Sequence, residues 1–202
     1  MIELLNGEKI EEVEILKLME EDNFYYGYLG KNALSSSAIK MLLQSPKTYK
    51  YVTKYGSKES QALRDGWLFH AAILEPDVFE AQHYVDAKTK AAKAYKLAEE
   101  QYGKVYTIAE KEKAERLADA FYKNEHAKEL LIDTEFEKPA IGELHGLPFR
   151  AKADVLGKNS LVDLKTTMDI KSFPYSAKKY GYDVQAYIYC QLFKRDWKDV
   201  RF

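Results

Sequence analysis

Cysteine is almost absent from this chain of 202 residues, which contains only Cys190. A single cysteine excludes an intramolecular disulfide and any cluster held by four cysteines, and it fits a reducing compartment. No apolar run approaches the roughly 18 residues of a membrane span, and the opening MIELLNGEKI is not a basic-then-apolar leader. We therefore expect a cytoplasmic protein with neither a membrane span nor a signal peptide.

The chain also lacks an excess of either charge, because 31 basic and 32 acidic side chains give a formal net charge of -1. Without a global basic field, any polyanion has to be held by a local patch. No Walker-type GxxxxGK[ST] loop is present, which excludes a nucleotide-driven motor of that class. The 16 tyrosines could stack on bases, although tyrosines more often lie at the edge of a core.

The length of 202 residues suits one domain over residues 1–202, although two domains are possible. Residues 1–33 show no clear period and predict only a short strand and a loop. Residues 34–131 are predicted to be mainly helical, with helices in LSSSAIKMLLQSP, in ESQALRDGWLFHAAILEP and over 88–103 and 107–131. His70 falls on the predicted inner face of the second helix, where a lone histidine is more often a satisfied core residue than a ligand.

From residue 134 the apolar pattern changes to a period of two, which is typical of strands. Three such runs are separated by HG and GKNS, so residues 134–202 are predicted to begin with a three-stranded meander. A helix in YDVQAYIYCQLFKRD and the start of a strand at Val200 follow. This order predicts an α+β (mixed α/β) fold, and a strand that stops at Phe202 leads us to expect a longer natural chain.

The predicted hairpin AKADVLGKNSLVDLKTT contains two acids and, apart from Lys158 in its loop, two lysines. If GKNS forms its loop, Asp154 lies opposite Asp163 and Lys152 lies opposite Lys165, on one face of the sheet. Opposed carboxylates destabilise a hairpin unless a proton or a cation neutralises them. Mg²⁺ and Mn²⁺ prefer such oxygen ligands, so these residues favour a divalent metal site.

A metal at this position would lower the pKa of an attacking water, which Lys165 could orient or help to deprotonate. These are the requirements for hydrolysis of a phosphodiester. A solvated ladder formed by Asp163 and the two lysines explains the same residues without any function. The hairpin alone does not decide between these interpretations.

Five motifs in order resemble the PD-(D/E)XK nuclease superfamily, and within it the RecE-type (exonuclease VIII-like) branch of phage and prophage exonucleases. They are LSSSAIKMLLQSPKTY, GWLFHAAILEP, AKADVL, LVDLKTT and QAYIY. The resemblance covers residues 34–195. It implies a restriction-endonuclease-like core, in which helices flank a central mixed sheet with a β-meander and the N-terminal region is helical.

The resemblance also implies roles for individual residues. The implied metal ligands are His70, Asp154, Asp163 and the main-chain carbonyl of Leu164, and the implied catalytic residues are Asp154, Asp163 and Lys165. Gln185 and Tyr189 match a Q-x-x-x-Y motif. Together with Lys152 and Thr167, they are expected to support the site or to contact DNA. The four-cysteine iron–sulfur cluster of some relatives is excluded by the single cysteine.

The implied activity is that of an Mg²⁺-dependent exodeoxyribonuclease, with Mn²⁺ as a substitute. Such an enzyme would digest one strand of linear double-stranded DNA with free ends, 5′ to 3′, for phage-type recombination in a bacterial host. The expected partners are a single-strand annealing protein and further copies of the chain in a ring. The alternatives are a structure-specific endonuclease on the same fold and a catalytically silent DNA-binding module.

Overall fold

A computed structural model describes all 202 residues, which divide into two compact units. The sheet unit contains Met1–Lys58, Asp133–Asp163 and Thr167–Phe202, and the helical unit contains Glu59–Ile132 and Leu164–Thr166. The interpretation of residues 1–202 as a single nuclease domain stays a prediction. None of the helices is both long enough and apolar enough to span a membrane.

The elements follow in chain order. Before residue 59 they are β1 (Ile2–Glu3), β2 (Lys9–Ile10), α1 (Glu12–Leu18), a π-helical turn (Asn23–Tyr28), α2 (Leu29–Asn32), α3 (Ser36–Gln44) and α4 (Pro46–Tyr55). The helical unit contains α5 (Gln61–Leu74), α6 (Pro76–Glu80), β3 (Tyr84–Val85), α7 (Lys93–Tyr102), β4 (Tyr106–Thr107), α8 (Ile108–Tyr122) and α9 (Glu125–Glu129). The remainder is β5 (Glu135–Leu144), β6 (Leu147–Leu156), β7 (Leu161–Val162), α10 (Phe173–Lys179), α11 (Tyr182–Phe193), a 3₁₀ turn (Trp197–Asp199) and β8 (Val200–Arg201).

The first 33 residues contain more structure than the predicted short strand and loop. β1 and β2 form a two-residue antiparallel hairpin, and α1, the π-helical turn and α2 follow it. Ile15, Met19 and Leu29 are buried together against Ile141 of β5. These helices are too short to show a period in the sequence, and their packing against the sheet stabilises them.

Pro46 ends one helix, as predicted, and also begins another that was not predicted. Ser35 caps α3, because its hydroxyl accepts a hydrogen bond from the Ala38 amide. Ser45 caps α4 in the same way by accepting from the Thr48 amide, and Pro46 occupies the first turn, where its missing N–H costs nothing. A serine before proline is therefore a start signal as well as a stop.

The helices of the helical unit depart from their predicted bounds at two places. The helix predicted over 88–103 begins only at Lys93, and the helix predicted over 107–131 is interrupted after Tyr122. Asn124 starts α9 by accepting a hydrogen bond from the Ala127 amide. An internal cap therefore divides a continuous apolar stripe into two helices.

A buried ion pair joins α5 and α8 in the helical unit. Arg64 is 5% exposed and Glu110 is 8% exposed, and Arg64 Nε donates to Glu110 Oε1 at 2.8 Å. Gln61 donates to the same carboxylate at 2.7 Å, and Arg64 Nη2 donates to the Val105 carbonyl at 2.6 Å. Burial alone would raise the pKa of Glu110, but hydrogen bonds from Arg64 and Gln61 outweigh it and lower the pKa to about 2.

We expect Glu110→Gln to lower the free energy of unfolding by about 3 kcal/mol, because it leaves the Arg64 charge buried with a neutral partner. Urea unfolding at pH 7 measures the loss. The lowered pKa means that the native protein holds this stabilisation above the ordinary pKa of a glutamate and loses it as the pH falls towards 2. The variant should lose less stability than the parent over that range.

Glu112→Gln is the matched control, because Glu112 lies on the same helix and is exposed. It should change the free energy of unfolding by less than about 0.5 kcal/mol. Equal effects of the two substitutions would show that the buried pair contributes no more than a surface charge.

A four-stranded mixed sheet in the order β5-β6-β7-β8 forms the core of the sheet unit. β5, β6 and β7 pair antiparallel, as the predicted meander requires, whereas β7 and β8 pair in parallel. The HG turn joins β5 to β6, with φ of +52° at His145 and +75° at Gly146, which suits a tight two-residue hairpin. The predicted mixed helix and sheet fold is confirmed.

Helix α11 covers one region of this sheet. Its Tyr189 packs with Ala151, Ala153 and Leu161 in a buried cluster. The helix runs close to its predicted bounds, and the predicted strand at Val200 is present as β8. This packing brings the polar side chains of α11 to the strand ends on which the site is built.

Candidate metal centre

Two acidic residues face each other across the hairpin of β5 and β6. The neighbouring pairs Phe136↔Val155 and Lys138↔Ala153 place Glu137 opposite Asp154. A carboxylate oxygen of Glu137 lies within 4.8 Å of one from Asp154, and Asp154 is only 8% exposed. Two carboxylates at this separation can bind the same divalent cation through hard oxygen ligands.

Glu137 is a site residue that the sequence interpretation missed. A signal for it was present, because the HG turn sets the register that places Glu137 opposite Asp154. Its backbone has φ of +48°, a conformation that is uncommon for a side chain of this kind and costs about 1–3 kcal/mol. Glu143, a further acid of β5, is exposed near the turn.

The β6–β7 hairpin follows the predicted register but is shorter than predicted. Val155↔Val162 and Leu156↔Leu161 are its two ladder pairs, and the Gly157 amide closes the GKNS loop on the Ser160 carbonyl at 2.8 Å. The ladder stops before the predicted pairs of Asp154 with Asp163 and of Lys152 with Lys165. It stops there because the chain turns towards β8, where the Asp163 amide donates to the Arg201 carbonyl at 3.0 Å.

The side chain of Asp163 is held by the Q-x-x-x-Y residues of α11. Gln185 Nε2 donates to Asp163 Oδ1 at 2.6 Å, and the Tyr189 hydroxyl lies 3.1 Å from the same oxygen. Gln185 also donates to the Tyr189 hydroxyl at 2.9 Å. The predicted helix face therefore orients the first residue of the Asp-Leu-Lys sequence.

The Tyr189 hydroxyl has two acceptors within reach. It lies 2.8 Å from the main-chain carbonyl of Lys152, as well as near Asp163. A single proton can serve only one acceptor at a time. Burial raises the pKa of Tyr189 well above its ordinary value, so the hydroxyl keeps that proton. The tyrosine thus connects the backbone of β6 to the aspartate that follows β7.

Lys152 lies beside the carboxylate pair. Its Nζ is 3.8 Å from Glu137 Oε2 and 3.7 Å from Asp22 Oδ1, and its side chain is 14% exposed. Lys152 and Asp154 share a face of β6, since side chains alternate along a strand. The lysine therefore supplies positive charge next to the candidate metal ligands.

Within the helical unit, His70 of α5 contacts the main chain of Leu164. His70 Nε2 lies 2.8 Å from the Leu164 carbonyl oxygen, and Leu164 follows Asp163 directly in the sequence. A carbonyl oxygen only accepts hydrogen bonds, so this contact requires a proton on Nε2. Coordination of a metal by that nitrogen would replace the hydrogen bond, because a ligating nitrogen must offer its lone pair.

The predicted strand through DLKTT ends sooner than expected. β7 contains only Leu161 and Val162, and residues 163–167 are not in a strand. Lys165 is half-buried. Thr167 is exposed, and its hydroxyl donates to the Asp169 carbonyl at 3.1 Å in a local turn, so the alternation that placed Thr167 on the face of Lys165 does not hold.

These features define a class of protein. A mixed sheet with an acid in its long hairpin, an Asp-Leu-Lys sequence after the next strand and a Gln-x-x-x-Tyr helix beside it is the arrangement of a PD-(D/E)XK nuclease. Residues 35–200 match the family model of the PDDEXK-like domain of unknown function (DUF3799). The chain belongs to this family. PD-(D/E)XK nucleases use divalent metal ions.

A solved structure has a similar fold. It is a candidate exonuclease from Eubacterium rectale, with a TM-score of 0.59 and 18% sequence identity over 92% of this chain and 68% of that chain. A comparison with curated proteins finds no match. The family confirms the predicted PD-(D/E)XK superfamily, and the neighbour shows that the fold is shared, whereas the RecE-type branch stays a prediction.

We expect Tyr189→Phe to lower the free energy of unfolding by about 1–2 kcal/mol, because it removes a buried hydroxyl from Gln185, Lys152 and Asp163. Urea unfolding measures this. Tyr180→Phe is the control, since Tyr180 is 51% exposed, and it should change stability by less than about 0.5 kcal/mol. A loss no larger than that of the control would show that the hydroxyl does not stabilise the site.

Proposed function

We propose that this chain is an Mg²⁺-dependent exodeoxyribonuclease that degrades one strand of linear double-stranded DNA from 5′ to 3′. The observation that carries the proposal is the pair of carboxylates, from Glu137 and Asp154, with oxygens within 4.8 Å of each other. The Asp-Leu-Lys sequence after β7 and membership of a PDDEXK-like family support it. The direction of digestion rests on the resemblance to RecE-type enzymes.

The donor atoms fit a divalent ion. Glu137 and Asp154 offer hard oxygen ligands, which suit Mg²⁺ and Mn²⁺. Lys152 lies 3.8 Å from Glu137 and 3.7 Å from Asp22, so its positive charge is shared between two acids. A bound divalent ion would be held by the negative charge of the carboxylate pair, would stabilise negative charge on the attacked phosphate and would make water a better nucleophile at neutral pH.

The residues of the chain then have distinct tasks in hydrolysis. Asp163 is the second predicted ligand, and Gln185 and Tyr189 keep its carboxylate in place. Lys165 orients the attacking water and helps to take its proton. The water oxygen forms a bond to phosphorus, the bond from phosphorus to the sugar oxygen breaks, and that oxygen leaves with a proton from solvent.

Several parts of the proposal rest on the resemblance alone. They are the coordination of the metal by His70 and by the Leu164 carbonyl. Three further expectations also rest on the resemblance alone. They are an annealing protein that would receive the single strand, a ring of several copies, and an origin in a phage or prophage of a bacterial cell.

We expect Asp154→Asn and Lys165→Ala each to slow Mg²⁺-dependent digestion of linear duplex DNA about 100-fold or more. Asp154→Asn removes a charged metal ligand, and Lys165→Ala removes the group that positions the water. The assay follows release of acid-soluble nucleotides from a linear duplex. Isothermal titration with Mn²⁺ should show binding heat for the parent and Lys165→Ala, and a much weaker signal for Asp154→Asn.

Glu143→Gln is the matched control, because Glu143 lies on β5 with Glu137 but is exposed. It should digest DNA at the rate of the parent. Unchanged rates in Asp154→Asn and Lys165→Ala would overturn the assigned site. A well-folded parent that shows neither digestion nor Mn²⁺ binding would favour the catalytically silent DNA-binding module.

We also expect covalently closed circular DNA to stay intact under conditions that degrade the same DNA after linearisation. An exonuclease needs a free end, whereas the structure-specific endonuclease considered as an alternative does not. A duplex labelled at its 5′ ends should release the label before a duplex labelled at its 3′ ends. Nicking of the circle would favour the endonuclease, and early release of the 3′ label would reverse the proposed direction.

A further inference from the structure

A row of positively charged and aromatic side chains leads to the metal centre along β6. Arg150, Lys152 and Asp154 alternate with buried alanines and share one face of the strand. Arg150 lies over the ring of Tyr25, with 4.4 Å from its guanidinium carbon to the ring centroid. Lys152 Nζ lies 4.9 Å from the same centroid. Two cations therefore stack on one buried tyrosine, next to an acid of the centre.

The π-helical turn Asn23–Tyr28 supplies the aromatic part of this row. Tyr26 packs edge-on against Tyr25, with ring centroids 4.8 Å apart and planes at 84°, an arrangement that fixes the orientation of both rings. Tyr25 is 6% exposed, whereas Tyr26 is 61% exposed. Lys152 Nζ lies 5.6 Å from the Tyr26 centroid, so an accessible ring and a cation stand side by side. π-helical turns are often found at functional sites.

Charges of this row and of the carboxylate pair act on the same group, the Tyr25 hydroxyl. Burial raises the pKa of Tyr25, Arg150 opposes the rise, and Glu137 and Asp154 add to it. Arg150 is only 9% exposed, and its Nε has no hydrogen-bond partner. A buried N–H without an acceptor costs free energy, and an anion held nearby would reduce the cost of keeping this positive charge.

We propose that Tyr26 and Lys152 bind the nucleotide next to the bond that is cleaved. Tyr26 stacks on its base, and Lys152 contacts its phosphate. Tyr25 and Arg150 act as positioning residues beneath them. The inference rests on the proposed function and narrows its substrate: a base stacked on Tyr26 is not in the duplex stack, so the strand reaches the centre with that base unpaired.

Stacking and phosphate contact can be told apart by their response to salt. Stacking of a base on an aromatic residue contributes about 1–3 kcal/mol, equivalent to a 5- to 150-fold change in affinity, and depends little on salt. A phosphate contact in single-stranded DNA contributes about 0.7 to the slope of log affinity against log salt concentration. Tyr26→Ala should therefore weaken binding at every salt concentration, and Lys152→Gln should reduce the slope.

The test measures binding of a fluorescein-labelled 12-residue oligothymidylate by fluorescence anisotropy, in buffer with Ca²⁺ to neutralise the carboxylates, with gels to verify that the probe stays intact. We expect Tyr26→Ala to weaken binding about 5- to 150-fold with an unchanged salt slope. Tyr26→Trp should bind as tightly as the parent. Lys152→Gln should lower the slope by about 0.7.

Tyr55→Ala is the matched control, because Tyr55 is a tyrosine of the same unit with a similar exposure of 64%, and it should bind like the parent. Thermal unfolding of each variant verifies that it folds. Parent-like binding by Tyr26→Ala, an unchanged slope in Lys152→Gln, or no binding by the parent would overturn the proposal. If the proposed nuclease activity is wrong and the nucleotide site is right, the result is different. The parent then binds the oligonucleotide through Tyr26 and Lys152 but does not hydrolyse DNA.

Discussion

The register of β5 against β6 is the constraint on which the site depends. The HG turn sets that register, since His145 and Gly146 both adopt the positive φ that a tight two-residue hairpin needs. Side chains alternate with a period of two, so a slip of one strand by one residue would put Glu137 and Asp154 on opposite faces of the sheet. A turn at the far end of the hairpin therefore controls whether two carboxylates meet.

Asp163 reaches its position in a different way. The chain leaves the β6–β7 ladder after Val162 and continues beside β8, so strand pairing with β6 does not hold the aspartate. Gln185 and Tyr189 hold it from α11 instead. Backbone pairing thus holds Glu137 and Asp154, whereas side-chain hydrogen bonds hold Asp163, a further predicted ligand, and the two parts can respond differently to substitution.

Local sequence signals predicted those parts of the fold that depend on local interactions. GKNS and HG predicted the turns of the meander, and apolar residues at helical spacing predicted α3 and α5. The short helices around Ile15 and the two-residue strands β3 and β4 were missed, because packing and pairing stabilise them more than their own sequences do. The GKNS register predicts Lys165 on a strand, but the ladder with β6 ends at Val162, and no local signal in the sequence marks this end.

The residues of the candidate site were likewise predictable only where turns and helix spacing determine their positions. The turn at GKNS predicted the register of β6 and β7 but not that their ladder ends before Asp154 and Asp163, and the helix spacing of Gln185 and Tyr189 is visible in the sequence. Glu137 follows from the HG turn, but its left-handed backbone, with φ of +48°, does not. That backbone also limits which residues related proteins can use at this position: Asp, Asn and Gly visit this region readily, whereas Val, Ile and Thr do so at a high cost. The backbone conformation therefore restricts which residues can occur at position 137, independently of whether their side chains could bind a metal ion.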